Sequence, residues 1–188
     1  MARAKSPEKR QAILRAAVHE IAQSGLGAST AGIARRAELA EGTLFTYFAT
    51  KNELINELYI ELKCEVYRRV NANFPHRAEL RQRALHVWNE TLHWAIERPD
   101  ERKVSMQLGV SDVVTAATRE RMSSEGDAIA QALSELATRG AFKDLPPGFA
   151  SSSMAAMQNA VMDAIASKPR QKATLIDKGF DAFWRMAK

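Results

Sequence analysis

Between Ser6 and Leu58 the chain carries so many helix start and stop signals that short helices are the only regular structure it allows. Ser6-Pro7 opens the first. The serine can accept from the free N–H groups of a first turn, and a proline placed there loses no hydrogen bond. Ile13, Leu14, Ala17, Val18, Ile21 and Ala22 recur at helical spacing until Gly25 and Gly27 end the run. Ser29 or Thr30 caps a short second helix through Ala37, with Ile33, Ala34 and Ala37 facing inward. Glu38 to Ala40 is a turn, and a third short helix runs from Glu41 to about Phe48. Thr50-Lys51-Asn52-Glu53 reads as a capping box that launches a long helix carrying Leu54, Ile55, Leu58, Leu62, Val66 and Val70.

Pro75 breaks that helix. The next runs from near Ala78 to Glu97 and is followed by a shorter one over Glu101 to Leu108. Ser111 or Asp112 can cap another that reaches about Arg139, and Gly140 to Gly148, with Pro146-Pro147, is the clearest break. Two apolar-striped helices finish the chain, one with Met154, Met157, Val161 and Ile165, the other with Leu175, Ile176, Phe180, Phe183 and Trp184. No segment alternates as a strand does. The expected fold is all-α, about nine helices, with a three-helix head over residues 1–52 and a larger helical body over 53–188.

Of the 188 residues 46% are hydrophobic, ordinary for a globular protein. No apolar run approaches the roughly 20 residues that a membrane-spanning helix needs, and the first residues lack the apolar stretch of a secretory signal. Cys64 is the only cysteine, which excludes an internal disulfide and a thiolate metal cluster and suits a reducing cytoplasm. Net charge is +5, unevenly spread. Residues 1–52 hold eight Lys/Arg against four Glu, and the rest hold 19 basic against 18 acidic. A basic excess on a small head is what contact with phosphates requires.

A helix-turn-helix sets a supporting helix across a short turn from a second helix that lies in the major groove of DNA. Here the supporting helix is Thr30 to Ala37 and the reading helix is Glu41 to Tyr47. The small residues Ala40, Gly42 and Thr43 fall where DNA comes close, and Thr43, Thr46, Tyr47 and Lys51 offer donors. In ILRAAVHEIAQSG, Thr30, IARRA, GTLFTYF, and Lys51 followed by NEL, the stretch Lys9 to Leu58 resembles the DNA-binding head of the TetR/AcrR family of bacterial regulators. That resemblance implies phosphate contact at Thr30 and backbone contacts at Thr43, Tyr47 and Lys51. It places Ala40, Glu41, Gly42 and Thr46 against bases or groove walls, and makes Leu44, Phe45 and Phe48 packing positions. Family members commonly carry glycine where this chain has Glu38, and tyrosine where it has Phe45. Because non-glycine residues resist positive φ, a turn with a different backbone is expected at Glu38.

The resemblance further implies a double-stranded DNA operator, a homodimer and a small-molecule effector, with no cofactor and no membrane. An effector cavity lined by Trp88, His93, Trp94, Met106, Gln107 and Gln158 is expected in the body, and Met154, Met157, Val161, Phe180, Phe183 and Trp184 supply apolar surface for a dimer contact. The cavity residues are more often plain core than ligand contacts, and the dimer residues suit a monomer core as well. Glu90 and His93 form the Glu-x-x-His of a di-iron bundle, but none of the other histidines has a glutamate three residues before it, so neither metal nor catalytic residues are expected. The resulting expectation is a ligand-responsive transcriptional repressor. An activator, a constitutive DNA-binding protein and a helical-bundle enzyme are the alternatives.

Overall fold

A computed structural model of the chain describes residues 5–124 and 127–188. Among the described residues there are ten α-helices and no strand. They are α1 (Pro7–Ser24), α2 (Thr30–Arg36), α3 (Glu41–Tyr47), α4 (Lys51–Asn71), α5 (Leu80–Glu97), α6 (Pro99–Gly109), α7 (Ala116–Ser124), α8 (Asp127–Ala137), α9 (Phe149–Ser167) and α10 (Lys172–Trp184).

The start signals act as read. Ser6 Oγ accepts from Lys9 N at 3.3 Å, and Ser29 Oγ from Gly32 N at 3.0 Å. At α4, Thr50 Oγ1 accepts from Glu53 N at 3.1 Å, but the Glu53 carboxylate reaches back to Ala49 N at 2.7 Å, one residue before the cap. The expected single helix from Ser111 or Asp112 to Arg139 is not formed. Residues 111–115 are turn and bend, and α7 begins at Ala116 under Thr115, whose hydroxyl accepts from Thr118 N at 3.2 Å. Asn56 holds that turn, donating to Val113 O at 2.9 Å and accepting from Thr115 N at 3.0 Å. The rest of the expected helix is divided between α7 and α8, and Glu125 and Gly126 lie outside the described residues.

The chain divides into two compact units. One takes the described part of Met1–Cys64 together with Arg98–Met122; the other takes Glu65–Glu97 and Ser123–Lys188. In the first, α1 packs on α2 and on α6 around Ile13, Ala17, Ile21, Ile33, Leu44, Leu54 and Leu58. Lys63 and Arg119 both lie over the ring of the buried Tyr59, with ring-centroid distances of 5.7 and 5.6 Å. Burial, and after it the Arg119 charge, holds the Lys63 amine below the usual lysine range.

In the second unit α5 is the central helix, packed against α8, α9 and α10. Trp88 is fully buried, donates to Ile176 O at 3.1 Å and stacks on Phe183 at 6.1 Å. Its own carbonyl accepts from Gln158 Nε2 at 3.3 Å. Gly179 lets α10 come close here, because a Cβ on it would lie 2.5 Å from Val161 Cγ2 and 3.0 Å from Trp88 Cζ2.

Candidate nucleic-acid interface

Two buried apolar side chains anchor the reading helix from behind. Leu44 and Phe48 are at most 1% exposed, whereas Phe45, expected to pack with them, is 43% exposed. Each residue turns the helix by about 100°, so positions four apart share the buried face and the residue beside Leu44 is carried off it. The outer surface of α3 is therefore Glu41, Gly42, Phe45 and Thr46, all exposed, with Thr43 and Tyr47 half-buried at its flanks and Ala40 exposed before it.

The turn into this helix corrects the expectation at Glu38. Glu38 does take positive φ, at 56°. Its N–H donates to Arg35 O at 3.1 Å and Leu39 N to Ala34 O at 2.9 Å, the paired bonds of a Schellman ending. Two hydrogen bonds that satisfy the last carbonyls of α2 hold a glutamate in a conformation that glycine adopts without strain.

The donors singled out from the sequence are tied into the head rather than free. Thr30 Oγ1 donates to Glu41 Oε1 at 2.6 Å, joining the first residues of supporting and reading helices. Lys51 Nζ donates to Leu26 O at 2.7 Å, fixing the start of α4 to the turn after α1 while keeping its charge and two further N–H bonds. Thr46 Oγ1 donates to Gly42 O at 3.1 Å.

Tyr47 Oη accepts from Ser6 N at 2.9 Å, leaving its own O–H to donate elsewhere. This bond sets the N-terminal arm beside the reading helix and brings Lys5 Nζ to 6.0 Å from the Tyr47 ring. Lys5 was missed in the sequence because the joint spans 41 positions and has no local signal.

Charge is sorted in the same way. Arg10 is held by Glu57 and Glu61, and Arg36 by Glu20 at 2.6 Å. Among the described residues of the head, Lys5, Lys9, Arg15 and Arg35 are exposed and, with Lys51, carry positive charge that no ion pair opposes. Gly42 is open on its outer side: a Cβ there would meet nothing within 4 Å. Packing within the chain thus gives no reason for a glycine in the first turn of α3.

The six residues expected to form one effector cavity are divided between the two units. Trp88 and Gln158 are in the core of the second unit and bonded to each other. Trp94 is 5% exposed, and its Nε1–H is buried without an acceptor. Met106, 42% exposed, and Gln107 belong to α6 in the first unit. His93 alone lines an open cleft of about 450 Å³, in company with Asn89 of α5. Opposite are Arg170, Lys172, Ala173, Ile176 and Asp177, none of them chosen from the sequence.

Of the six residues expected at a dimer contact, Met154, Val161, Phe180 and Phe183 are 8% exposed or less and fill the core of their own unit. Met157 and Trp184 are half-buried against the same core. Most of their apolar stripe faces the packing of α5, α9 and α10 on one another, while Met157, Met162, Ile165, Leu175 and Trp184 are only partly covered. Glu90, the other half of the Glu-x-x-His pattern, is taken by Arg69 at 3.0 Å.

Residues 13–58 match the sequence profile of bacterial regulatory proteins, tetR family. The whole chain is similar to a protein of Shewanella sp. PV-4 assigned to the tetR family of transcription regulators, at 26% identity and a TM-score of 0.83 over 94% of this chain and 96% of that one. A TetR family transcription regulator of Marinobacter aquaeolei VT8 shares 21% identity with a TM-score of 0.78 over 93% and 95%. The TetR-like regulator LfrR of Mycobacterium smegmatis, solved in complex with proflavine, shares 17% identity with a TM-score of 0.68 over 94% and 95%.

Proposed function

We propose that this chain, a TetR-family DNA-binding transcription regulator, works as a dimeric cytoplasmic repressor that a small-molecule effector releases from a palindromic operator. The observation that carries the reading is the outward face of α3: Glu41, Gly42, Phe45 and Thr46 stand clear of the chain while Leu44 and Phe48 clamp the helix from behind. Residues 1–52 form the DNA-binding head and 53–188 the effector-binding and dimerising body. This is a division of labour, distinct from the two compact units.

Lys51, Thr43 and Tyr47 meet the phosphate backbone. Thr30 and Glu41 act as a pair: the hydroxyl bond turns one carboxylate oxygen away and leaves the other for the exposed amino group of a cytosine. In a two-fold dimer the reading helices meet half-sites about 34–36 Å apart or a multiple of it. An effector that favours a dimer of another head spacing weakens operator binding, by about 5- to 150-fold for a typical coupling of about 1–3 kcal/mol. LfrR holding proflavine supports a small-molecule effector for a fold of this kind. The reading assigns the chain no catalytic step.

The test is operator affinity against salt. Lys51→Ala should weaken binding to every DNA sequence and lower the salt slope by about one counterion per head, whereas changing Glu41 or Thr46 should alter which bases are preferred. An unchanged slope in Lys51→Ala would place the interface elsewhere.

A further inference from the structure

We propose that the cleft between α5 and the start of α10 binds a small organic acid with an apolar or aromatic body and one carboxylate. The proposal rests on the effector-responsive reading above and gives the effector its chemistry. Four observations converge, all within the second unit.

The cleft's volume of about 450 Å³ is that of a small-molecule site. Its floor is apolar: Ala173 and Ile176 lie one turn apart on α10. Arg170 and Lys172 stand at one end, exposed and without an acidic partner among the described residues, so their charge is available. Glu90, beside His93 on α5, does not compete for them, because Arg69 holds it.

The last observation sets the selectivity. Asp177 lines the cleft five residues beyond Lys172, about 7.5 Å along the helix axis. A carboxylate placed on Arg170 and Lys172 leaves the far end of the ligand facing this aspartate. A second acidic group there meets a like charge, and a neutral apolar end does not. The site therefore takes monocarboxylates and refuses dicarboxylates of similar length. A cation would meet Arg170 and Lys172 on entry, and inorganic phosphate would satisfy those two residues but leave the apolar floor unused.

Isothermal titration of the full chain without DNA tests this, with cinnamate, its neutral amide, terephthalate and inorganic phosphate as probes. Cinnamate should bind about tenfold or more tighter than the other three, as loss of a charge-assisted bond implies. Arg170→Gln and Lys172→Gln should each weaken cinnamate several-fold with an unchanged melting temperature, since both side chains are exposed and unpaired. Asp177→Asn should admit terephthalate.

Equal binding of acid and amide, equal binding of phosphate, full cinnamate affinity in the Arg170→Gln/Lys172→Gln double variant, or no heat with cinnamate would each overturn the proposal. Failure here leaves operator binding untouched. Cinnamate that binds as described but does not shift operator affinity would instead remove the effector reading and keep the site.

Discussion

Two residues of the head show a local cost that the chain alone does not require. Gly42 is the second residue of α3, with open space where its side chain would be, yet a glycine within a helix costs up to about 1 kcal/mol relative to alanine. Close approach of a DNA backbone is the reason the proposed interface supplies. Gly42→Ala should therefore raise the free energy of unfolding by up to that amount and still weaken operator binding. Tighter or unchanged binding would show that no DNA comes near this position. Glu38 is the converse case, a residue held at φ 56° by a Schellman ending. Glu38→Gly removes the side-chain strain, less the extra freedom of an unfolded glycine, and should stabilise the head by about 0.5–1 kcal/mol in denaturant titration. The family resemblance implied a glycine in this turn but not whether the backbone would yield to a glutamate. The hydrogen bonds of the α2 terminus decide that, and they outweigh the preference of a single side chain.

At the scale of elements, helix starts were legible and helix faces were not. Ser6, Ser29 and the Thr50-to-Glu53 box act within four residues of themselves, so their chemistry is written locally. Thr115 carries no local mark that sets it above Ser111 or Asp112 as a cap, because its place before α7 is held by Asn56, 59 positions away. Gly179 reads as a neutral helical glycine; the structure makes it the point where α10 passes closest to Trp88 and Val161. Gly179→Ala puts a methyl group into occupied space and should destabilise the chain by about 1–3 kcal/mol, read from thermal unfolding. An unaffected melting temperature would mean that α9 and α10 part easily at this crossing. The same packing explains why Met154, Phe180 and Phe183 were offered for a dimer contact: a striped helix shows that it must bury a face, and nothing in the stripe names the partner.

For the whole molecule, the proposed repressor has a thermodynamic signature independent of any structure of the complex. If effector and operator favour different states of the dimer, each must weaken the other's binding by the same factor. Measured both ways, by operator affinity with effector present and effector affinity with operator present, the two ratios should agree. A compound that binds the body and leaves operator affinity unchanged is not the effector. The basic head, the three short helices and the anchoring of α3 by Leu44 and Phe48 came from the sequence alone, since caps, breakers and apolar spacing act over one or two helical turns. Only the tertiary structure tied Tyr47 to Ser6, gathered Asn89, His93 and Arg170 around one cleft, and turned the last two helices' stripes inward. Those outcomes join residues tens of positions apart, and which distant surfaces meet is set by the packing of the folded chain rather than by any local signal.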